Sequence, residues 1–275
     1  MKLVYLGTPA LAVPPLEALV EAGHEIVLVV TNPDRRRGRG KQTSPSPVKE
    51  AAQRLGLKVS HDIDEVVDSG AELGVVVAFG QIVKEHVLDA VPMVNLHFSL
   101  LPRWRGAAPV ERAILAGDEV TGVCVMRVES GLDTGGVYAR VEAPIGDRAT
   151  ADELRAELVA AGSQLVVDTL AGIADQGLVQ GLGEPEPQVG EVTYAHKITA
   201  DDRHIDWSDP PIQIDRVIRA GGAWTSFRGQ RVKILAADLV DGDLVITRIQ
   251  PAGKKPMDYD AWCRGAQLDP DEWFE

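Results

Sequence analysis

The chain has 275 residues, of which 45 % are hydrophobic and 25 % are charged, a composition typical of a globular protein with one large or two ordinary domains. Its formal net charge of −13 argues against non-specific binding to nucleic acids. Cys124 and Cys263 lack the spacing of a metal site or a redox pair, which predicts reduced structural thiols. Because no apolar run approaches the roughly 20 residues of a membrane span and the N-terminus lacks signal-peptide features, we expect a cytoplasmic protein without a membrane partner.

The first thirty residues have a strand–helix–strand pattern. Residues 2–7 form an apolar strand, apolar side chains recur at helical spacing over residues 10–22, and residues 26–30 form a second buried strand. This order predicts a right-handed βαβ unit and therefore a parallel sheet. The turn Gly7-Thr8-Pro9 lacks the G-x-G-x-x-G motif, and no acidic residue stands at the tip of the second strand, so a nicotinamide dinucleotide site is not predicted.

Strands and helices continue to alternate along the next part of the chain. We predict strands over 57–59, 73–79, 93–96, 121–128 and 137–143, and helices over 47–55, 107–116 and 150–173. The strand over 73–79 is the most hydrophobic and is predicted to be central. The fold class is therefore α/β, with a mostly parallel sheet.

A shift in composition separates this part from a second one. Residues 174–192 are rich in Gly, Pro, Glu and Gln, which is typical of a linker. Beyond it, the pattern predicts a small β-rich domain of barrel type, with a helix over 211–220 and strands over 223–227, 231–237 and 244–250. We therefore place a first domain at 1–178, a linker at 179–192 and a small second domain at 193–275.

A long polar loop occupies residues 32–46. Over residues 31–49 a single acidic residue, Asp34, stands among six basic ones: Arg35, Arg36, Arg37, Arg39, Lys41 and Lys49. Loops of this length are usually functional or disordered. The residues leave two interpretations open, a solvated mobile loop and an arm that contacts phosphate groups.

Polar side chains follow the strand that precedes residue 97. Asn95 and His97 are two residues apart, so on a strand their side chains point the same way, and the tips of parallel strands are where open α/β sheets place their chemistry. Asp133 lies in a glycine-rich loop, residues 129–136, after the next strand. An amide, an imidazole and a carboxylate can stabilise an oxyanion, accept a proton and orient the ring. The spacing is equally compatible with strand-end residues that serve local structure.

Other chemistries lack their residues in this sequence. Ser99 stands two residues from His97, but no G-x-S-x-G motif surrounds it, and no phosphate-binding lysine loop occurs. No metal is expected, because the histidines and cysteines lack ligand spacing. What remains is direct group transfer through a tetrahedral intermediate, with both substrates bound together.

The chain resembles the methionyl-tRNA formyltransferases of the formyltransferase family over almost its whole length. The matching segments of the first domain are Gly7-Thr-Pro-Ala-Leu-Ala-Val-Pro14, Asn32-Pro-Asp-Arg35, Gly38-Arg-Gly-Lys41, Ser44-Pro-Ser-Pro-Val-Lys49, Ala78-Phe-Gly-Gln-Ile82, Asn95-Leu-His-Phe-Ser-Leu-Leu-Pro-Arg-Trp-Arg-Gly-Ala-Ala-Pro109 and Gly131-Leu-Asp-Thr-Gly135. Those of the second are Thr193-Tyr-Ala-His-Lys-Ile198, Ile205-Asp-Trp207 and Gln250-Pro-Ala-Gly-Lys-Lys-Pro-Met257. The Asn-x-His and Asp set is shared by the wider formyltransferase family, whereas Arg103-Trp-Arg-Gly-Ala-Ala-Pro109 is more specific to the tRNA enzymes.

The resemblance implies a Rossmann-like formyltransferase domain followed by a small OB-like β-barrel domain. It implies transfer of a formyl group from 10-formyltetrahydrofolate to the methionine amino group of initiator methionyl-tRNA, an early step of protein biosynthesis at translation initiation. The donor folate and the tRNA are then the partners, and the enzyme is expected to be a monomer.

The resemblance also implies roles for individual residues. Asn95 and His97 would stabilise the oxyanion and handle the amine proton, while Asp133 orients and charges His97. The folate would be bound by two segments, Phe79, Gly80, Gln81, Ile82 and Ser99, Leu100, Leu101, Pro102. The arm would reach the acceptor stem of the tRNA through Arg37, Arg39 and Lys41.

The second domain departs from the family pattern. Its two long strands are joined directly by Asp241-Gly242-Asp243, where family members have a longer segment, and residues 193–275 hold fourteen acidic against eleven basic residues. A basic face there would consist of Arg228, Arg231, Lys233, Arg248, Lys254 and Lys255. Two alternative functions follow: a formyltransferase acting on a small amine such as an amino sugar nucleotide, and a non-catalytic module that binds tRNA or folate.

Overall fold

The computed structural model describes residues 1–36, 43–175, 183–267 and 272–275. These residues form two compact units. The first comprises Met1–Pro109, Val120–Pro144 and Arg155–Ala195, and the second comprises Val110–Glu119, Ile145–Leu154 and His196–Glu275. The domain limits expected from the sequence stay a prediction.

The strands, in chain order, are β1 (Lys2–Gly7), β2 (Glu25–Val30), β3 (Arg35–Arg36), β4 (Thr43–Ser44), β5 (Val59–Ser60), β6 (Leu73–Val77), β7 (Met93–His97), β8 (Arg105–Gly106), β9 (Val120–Arg127), β10 (Val137–Pro144), β11 (Tyr194–Ala195), β12 (Trp224–Phe227), β13 (Gln230–Val240), β14 (Asp243–Pro251) and β15 (Met257–Asp258). The helices are α1 (Val13–Glu21), α2 (Pro47–Arg54), α3 (Glu85–Ala90), α4 (Pro109–Ala116), α5 (Ala151–Asp175), α6 (Pro211–Ala220) and α7 (Tyr259–Ala266).

A seven-stranded sheet forms the centre of the first unit, in the order β10-β9-β7-β6-β1-β2-β5. The five strands β7, β6, β1, β2 and β5 are parallel, whereas β9 pairs antiparallel with both β7 and β10. The predicted mostly parallel α/β sheet is confirmed. So is the central place of β6, whose five residues are all buried, as expected of a strand covered on both faces.

Chain order reverses across the sheet between β1 and β6. From β1 the chain passes outward to β2 and β5, and it then returns to β6 and β7 on the other side of β1. In open α/β sheets, the crevice beyond the carboxyl ends of the strands at such a reversal is where ligands bind. The loops after β1, β6 and β7 therefore define the region in which to look for a site.

Helix α5 is the one helix, in the part of the chain that the structure describes, whose length and composition would allow a membrane span, over Ala151–Ile173. Its Gly162 lies against Leu96 of β7 and Val123 of β9, close enough that an added Cβ would stand 3.1 Å from each side chain. Leu158, Val166 and Leu170 are fully buried along the same helix. One face of α5 is therefore buried in the core.

The second unit contains a four-stranded antiparallel sheet in the order β12-β13-β14-β15. Helix α6 and helix α7 pack on its inner face through Ile214, Val217 and Trp262, against Ile234 and Ile249 of the sheet. This agrees with the OB-like domain predicted from the sequence. Strands β13 and β14 meet in a two-residue turn with φ of 52° at Asp241 and 93° at Gly242, the left-handed backbone that a tight hairpin requires.

Some elements differ from the prediction. β6 ends at Val77 rather than at Phe79, and the short strand expected over 57–59 is observed at Val59–Ser60. Helices α3 and α7 were not predicted, since their few residues carry no extended apolar period.

Candidate active site

The tip of β7 carries Asn95 and His97. Both lie within the strand, and strand geometry places their side chains on the same face. The His97 side chain is buried, whereas Asn95 is half-buried. The Asn95 backbone pairs with Val76 and Met126 in the sheet. Among the described residues, no group hydrogen-bonds to its side-chain amide. The amide is therefore available to a ligand.

Two oxygen atoms face the two nitrogens of the His97 ring. Nε2 lies 2.9 Å from the backbone carbonyl oxygen of Trp104. Because a carbonyl can only accept, Nε2 carries the hydrogen and the neutral ring holds its lone pair on Nδ1. Nδ1 lies 3.7 Å from Oδ2 of Asp133, which is ion-pair distance but too long for a hydrogen bond. The ring is thus oriented by Trp104, and Asp133 stands where it stabilises a proton on Nδ1.

Asp133 is held in a strained backbone conformation, with φ of 50°. Its Oδ2 accepts a hydrogen bond of 2.8 Å from the backbone N–H of Gly106. The loop around it is packed so tightly that a Cβ on Gly135 would lie 2.0 Å from the Arg127 carbonyl oxygen. Small residues here let the loop turn back over β9, which brings the carboxylate to the tip of β7.

The segment Ser99–Pro102 follows His97 directly. The fully buried Ser99 hydroxyl donates to the Arg103 carbonyl oxygen at 2.6 Å and so closes the turn. Leu101 packs in a cluster with Cys124, Met126 and Val137, and Leu100 lies against Gly122. The peptide bond between Leu101 and Pro102 is cis. These side chains are used by the fold, so the predicted folate contact from this segment would have to come mainly from its backbone.

The segment Phe79–Ile82 follows β6, at the reversal of chain order. Phe79 is buried, and its carbonyl oxygen accepts hydrogen bonds from Thr8 at 3.2 Å and from the Asn32 amide at 3.1 Å. The Gln81 amide donates to Asn32 Oδ1 at 2.6 Å. Gly80 has φ of 77°, and the Ile82 side chain is 85 % exposed. The loops after β1, β2 and β6 are therefore tied together, with an apolar side chain left open at their edge.

Residues 183–195, here called the strap, run beside the loops that follow β7 and β9, although the composition indicates a linker over most of them. Glu186 pairs with Val137 through both backbone groups. The Thr193 hydroxyl accepts from the Trp104 N–H at 2.8 Å, and β11 of the strap pairs with β8. The Gln188 amide contacts the Asp133 loop and Arg105. Sequence reasoning missed Glu186 and Gln188, because nothing local in a Pro- and Glu-rich segment indicates its distant partners.

The base of the polar loop is a small antiparallel ribbon of β3 and β4. Asp34 pairs with Lys49 of α2 at 2.8 Å, and the Ser46 hydroxyl caps α2 by accepting from the Lys49 N–H at 3.0 Å. The predicted tRNA contacts Arg37, Arg39 and Lys41 lie outside the described residues.

Among the described residues, Cys124 and Tyr138 are two further reactive groups near the site, and neither is activated. Burial raises the pKa of the Cys124 thiol, which keeps it protonated within the cluster that contains Leu101. Burial also raises the pKa of the Tyr138 phenol, whose oxygen accepts a hydrogen bond from Arg127. The chemistry that the geometry allows is therefore that of the Asn95 amide, the His97 imidazole and the Asp133 carboxylate: stabilising an oxyanion and accepting a proton without a covalent intermediate.

Comparisons with solved structures support the fold. HypX from Aquifex aeolicus, solved in complex with tetrahydrofolic acid, superposes with a TM-score of 0.68 at 17 % identity, over 96 % of this chain and 47 % of that one. An N-formyltransferase from Helicobacter canadensis, solved with folinic acid and dTDP-3-aminofucose, gives 0.68 at 21 % identity over 88 % of each chain. Methionyl-tRNA formyltransferase from Clostridium thermocellum gives 0.62 at 15 % identity, over 91 % of this chain and 98 % of that one. At these identities the likeness is one of fold.

Sequence comparisons are more specific. Residues 1–170 match the formyl transferase family, and residues 197–243 match its C-terminal domain. Methionyl-tRNA formyltransferase of Dinoroseobacter shibae is 44 % identical over 300 residues, covering 98 % of each chain. That of Corynebacterium glutamicum strain R is 41 % identical over 320 aligned positions and the full length of both chains, so it holds segments that this 275-residue chain lacks. The chain belongs to the methionyl-tRNA formyltransferase family, as its sequence motifs predict.

Proposed function

We propose that the chain transfers the formyl group of 10-formyltetrahydrofolate to the methionine amino group of initiator methionyl-tRNA, at translation initiation in the cytoplasm. The observation that carries this proposal is the His97–Asp133 pair beside the open Asn95 amide, at the tip of β7, in a chain 44 % identical to a methionyl-tRNA formyltransferase over nearly its full length. The chain acts as a monomer in this proposal and uses no metal.

In the proposed reaction the amino nitrogen attacks the formyl carbon directly. The new carbon–nitrogen bond turns the formyl oxygen into an oxyanion. Collapse of this tetrahedral intermediate breaks the bond between the formyl carbon and N10 of the folate. The proton that the amine loses ends on N10, so the step requires neither a redox partner nor an acyl-enzyme.

Asn95, His97 and Asp133 divide this work. The Asn95 amide donates to the oxyanion, and a donor so placed contributes about 3–4 kcal/mol in comparable sites. His97 accepts the amine proton on Nδ1, because its Nε2–H is already bound to the Trp104 carbonyl oxygen. Asp133, 3.7 Å from Nδ1, stabilises the imidazolium that results and so favours the transfer.

The folate is proposed to bind between the segments Phe79–Ile82 and Ser99–Pro102. They follow β6 and β7, neighbouring parallel strands whose carboxyl ends share one edge of the sheet. Two proteins of the same fold, HypX from Aquifex aeolicus and the Helicobacter canadensis N-formyltransferase, were solved with tetrahydrofolic acid and folinic acid respectively. These observations support 10-formyltetrahydrofolate as the donor.

The outer face of the small sheet supports the tRNA as partner. The Arg231 guanidinium lies 3.7 Å from the centre of the Trp224 ring, and Lys233 stands opposite both Trp224 on β12 and Gln250 on β14. Basic and aromatic side chains on an OB-like sheet are suited to a nucleic-acid backbone and its bases. The positive charge of this face is local to it, which is compatible with a net charge of −13 for the whole chain. The arm residues Arg37, Arg39 and Lys41 are proposed as further phosphate contacts.

A formyl-transfer assay tests the proposal. The protein is mixed with 10-formyltetrahydrofolate and either initiator methionyl-tRNA or a panel of amino sugar nucleotides, and the formylated product is quantified. Transfer to the tRNA alone is expected. Transfer to sugars alone would select the small-amine alternative, and no transfer to either would favour a non-catalytic binding module.

A further inference from the structure

The side chain of Gln188 uses its whole hydrogen-bonding capacity inside the site loops. Nε2 donates to the carbonyl oxygens of Asp133 at 2.8 Å and Gly135 at 2.7 Å. Oε1 accepts from the Arg105 guanidinium, at 3.0 Å from Nε and 2.6 Å from Nη2. Rotating the amide by 180° would set its NH₂ against the guanidinium and its oxygen against two carbonyls. The four partners therefore permit a single orientation.

Gln188 connects the two loops that face the His97 ring. One loop supplies the Trp104 carbonyl oxygen, which accepts from Nε2, and continues into Arg105. The other supplies Asp133, which lies beside Nδ1. The loops also meet where Gly106 donates to Asp133 Oδ2. Together, the Gln188 bonds and the bond from Gly106 to Asp133 form a closed ring of contacts. The ring runs along the chain from Arg105 to Gly106, through the hydrogen bond to Asp133, and back to Arg105 through Gln188.

This ring of contacts holds the strained backbone of Asp133 in place. A non-glycine residue at φ of 50° is strained and persists only where its surroundings hold it. The bond from the Gly106 N–H holds the Asp133 carboxylate, and the bond from Gln188 holds the Asp133 carbonyl oxygen. Gln188 itself contributes little to the core, since it is half-buried and the next residue, Val189, is 85 % exposed.

We propose that Gln188 is a positioning residue of the formyl-transfer site, which sets the distance between the Asp133 carboxylate and His97 Nδ1. It acts through Asp133 and Arg105 and touches neither substrate. This inference rests on the proposed function and adds to it a residue from the strap.

Two substitutions at Gln188 separate positioning from a general structural role. Gln188→Met has a similar length and removes all four hydrogen bonds. Gln188→Glu keeps the acceptor for Arg105 but loses both donors and sets a carboxylate against two carbonyl oxygens. Glu191→Gln, an exposed residue of the same strap, is the matched control.

The expected result is a loss in kcat with little change in KM for either substrate. Because a misplacement of about 1 Å costs about 10²-fold in rate, Gln188→Met is expected to lower kcat by about that factor, while Glu191→Gln stays at the wild-type value. The kcat of Gln188→Glu, taken as a fraction of the wild-type kcat at the same pH, is expected to rise as the pH falls, because the protonated carboxyl regains one donor. A raised KM with unchanged kcat, or a loss matched by unfolding in a thermal melt, would overturn the proposal.

An imidazole measurement distinguishes failure of this inference from failure of the proposed function. The ¹⁵N chemical shifts of the His97 ring are recorded in wild type, Gln188→Met and Glu191→Gln, without substrate. A shift of the Nδ1 signal in Gln188→Met alone is expected, whether or not the wild type transfers formyl groups. Unchanged Nδ1 signals in Gln188→Met would overturn the positioning role.

Discussion

The site loops of the first unit and the outer sheet face of the second use polar side chains in opposite ways. Around His97, each described partner is itself held: Asp133 by Gly106 and Gln188, and Trp104 by Thr193. On the outer face, by contrast, Lys233 and Arg231 occupy exposed positions of β13, and Arg231 contacts only an aromatic ring, that of Trp224, among the described side chains. The groups around His97 are thus fixed by hydrogen bonds between distant parts of the chain. The basic side chains of the outer face can adjust to the surface of a large partner.

The difference has a physical basis. Proton transfer and oxyanion stabilisation depend steeply on distance, so the groups that perform them must be fixed before the substrates arrive. Phosphate contacts act through charge over several ångströms and tolerate adjustment of a lysine or arginine side chain. Substitutions in the two regions should therefore affect different kinetic parameters.

The largest effect is expected from Asp133→Asn. The amide can still accept the Gly106 N–H bond, so the loop is retained, but it removes the negative charge beside His97 Nδ1. We expect kcat to fall by about 10³-fold with the melting temperature unchanged. The measurement is steady-state formyl transfer, with the exposed Glu129→Gln of the same loop as control. A wild-type kcat in Asp133→Asn would contradict the assigned role.

A somewhat smaller loss is expected from Asn95→Ala. The substitution removes one oxyanion donor, which costs about 10²- to 10³-fold in kcat in comparable sites, and it breaks no hydrogen bond among the described residues. Asn95→Asp, of the same shape but with a carboxylate facing the oxyanion, should be at least as poor. Single-turnover rates measure both variants, and an active Asn95→Asp would refute the role of the amide as donor.

On the outer face, the double substitution Arg231→Ala with Lys233→Ala is expected to change binding and leave chemistry intact. We expect the Kd for initiator tRNA to rise by about tenfold, with kcat unchanged, and the slope of log K against log salt to decrease by about 1 for each phosphate that the variant no longer neutralises. Gel shifts at several salt concentrations measure both quantities. Leu235→Ala, on the same strand and the same face, is the uncharged control, and an equal effect from it would indicate a loss of packing instead.

The sequence predicts the regular parts of both regions better than their connections. The apolar patterns of β6 and β7 indicate their strands, and the central place of β6 follows from its hydrophobicity. The strap is different, because its Pro- and Glu-rich composition does indicate irregular backbone but contains no information on what that backbone binds. Gln188 meets Asp133 across 55 residues of chain, and Gly106 meets it across 27. Such contacts arise only once the sheet has brought its loops to one edge.

A carboxylate in the second unit tests whether tight hydrogen bonding alone implies catalysis. Asp202 receives two bonds from the Arg112 guanidinium and further bonds from Thr199, and these hold the pKa of its carboxyl at about 2, below the ordinary 3.8. Because the carboxyl pKa is lower in the folded chain than in the unfolded chain, the ionised carboxylate stabilises the fold at pH values above the unfolded-state pKa. This contribution is lost as the pH falls from about 4 towards 2.

Asp202→Asn is therefore expected to lower the free energy of unfolding by about 1 kcal/mol at pH 7, discounted for solvent exposure, and by less at pH 3. Urea denaturation at the two pH values measures the difference, and an effect that does not shrink at pH 3 would contradict the assigned ion pair. The kcat of this variant should equal that of the wild type. Asp133→Asn is expected to show the reverse, a lost kcat at unchanged stability, because the strained Asp133 serves the His97 ring whereas Asp202 serves the fold.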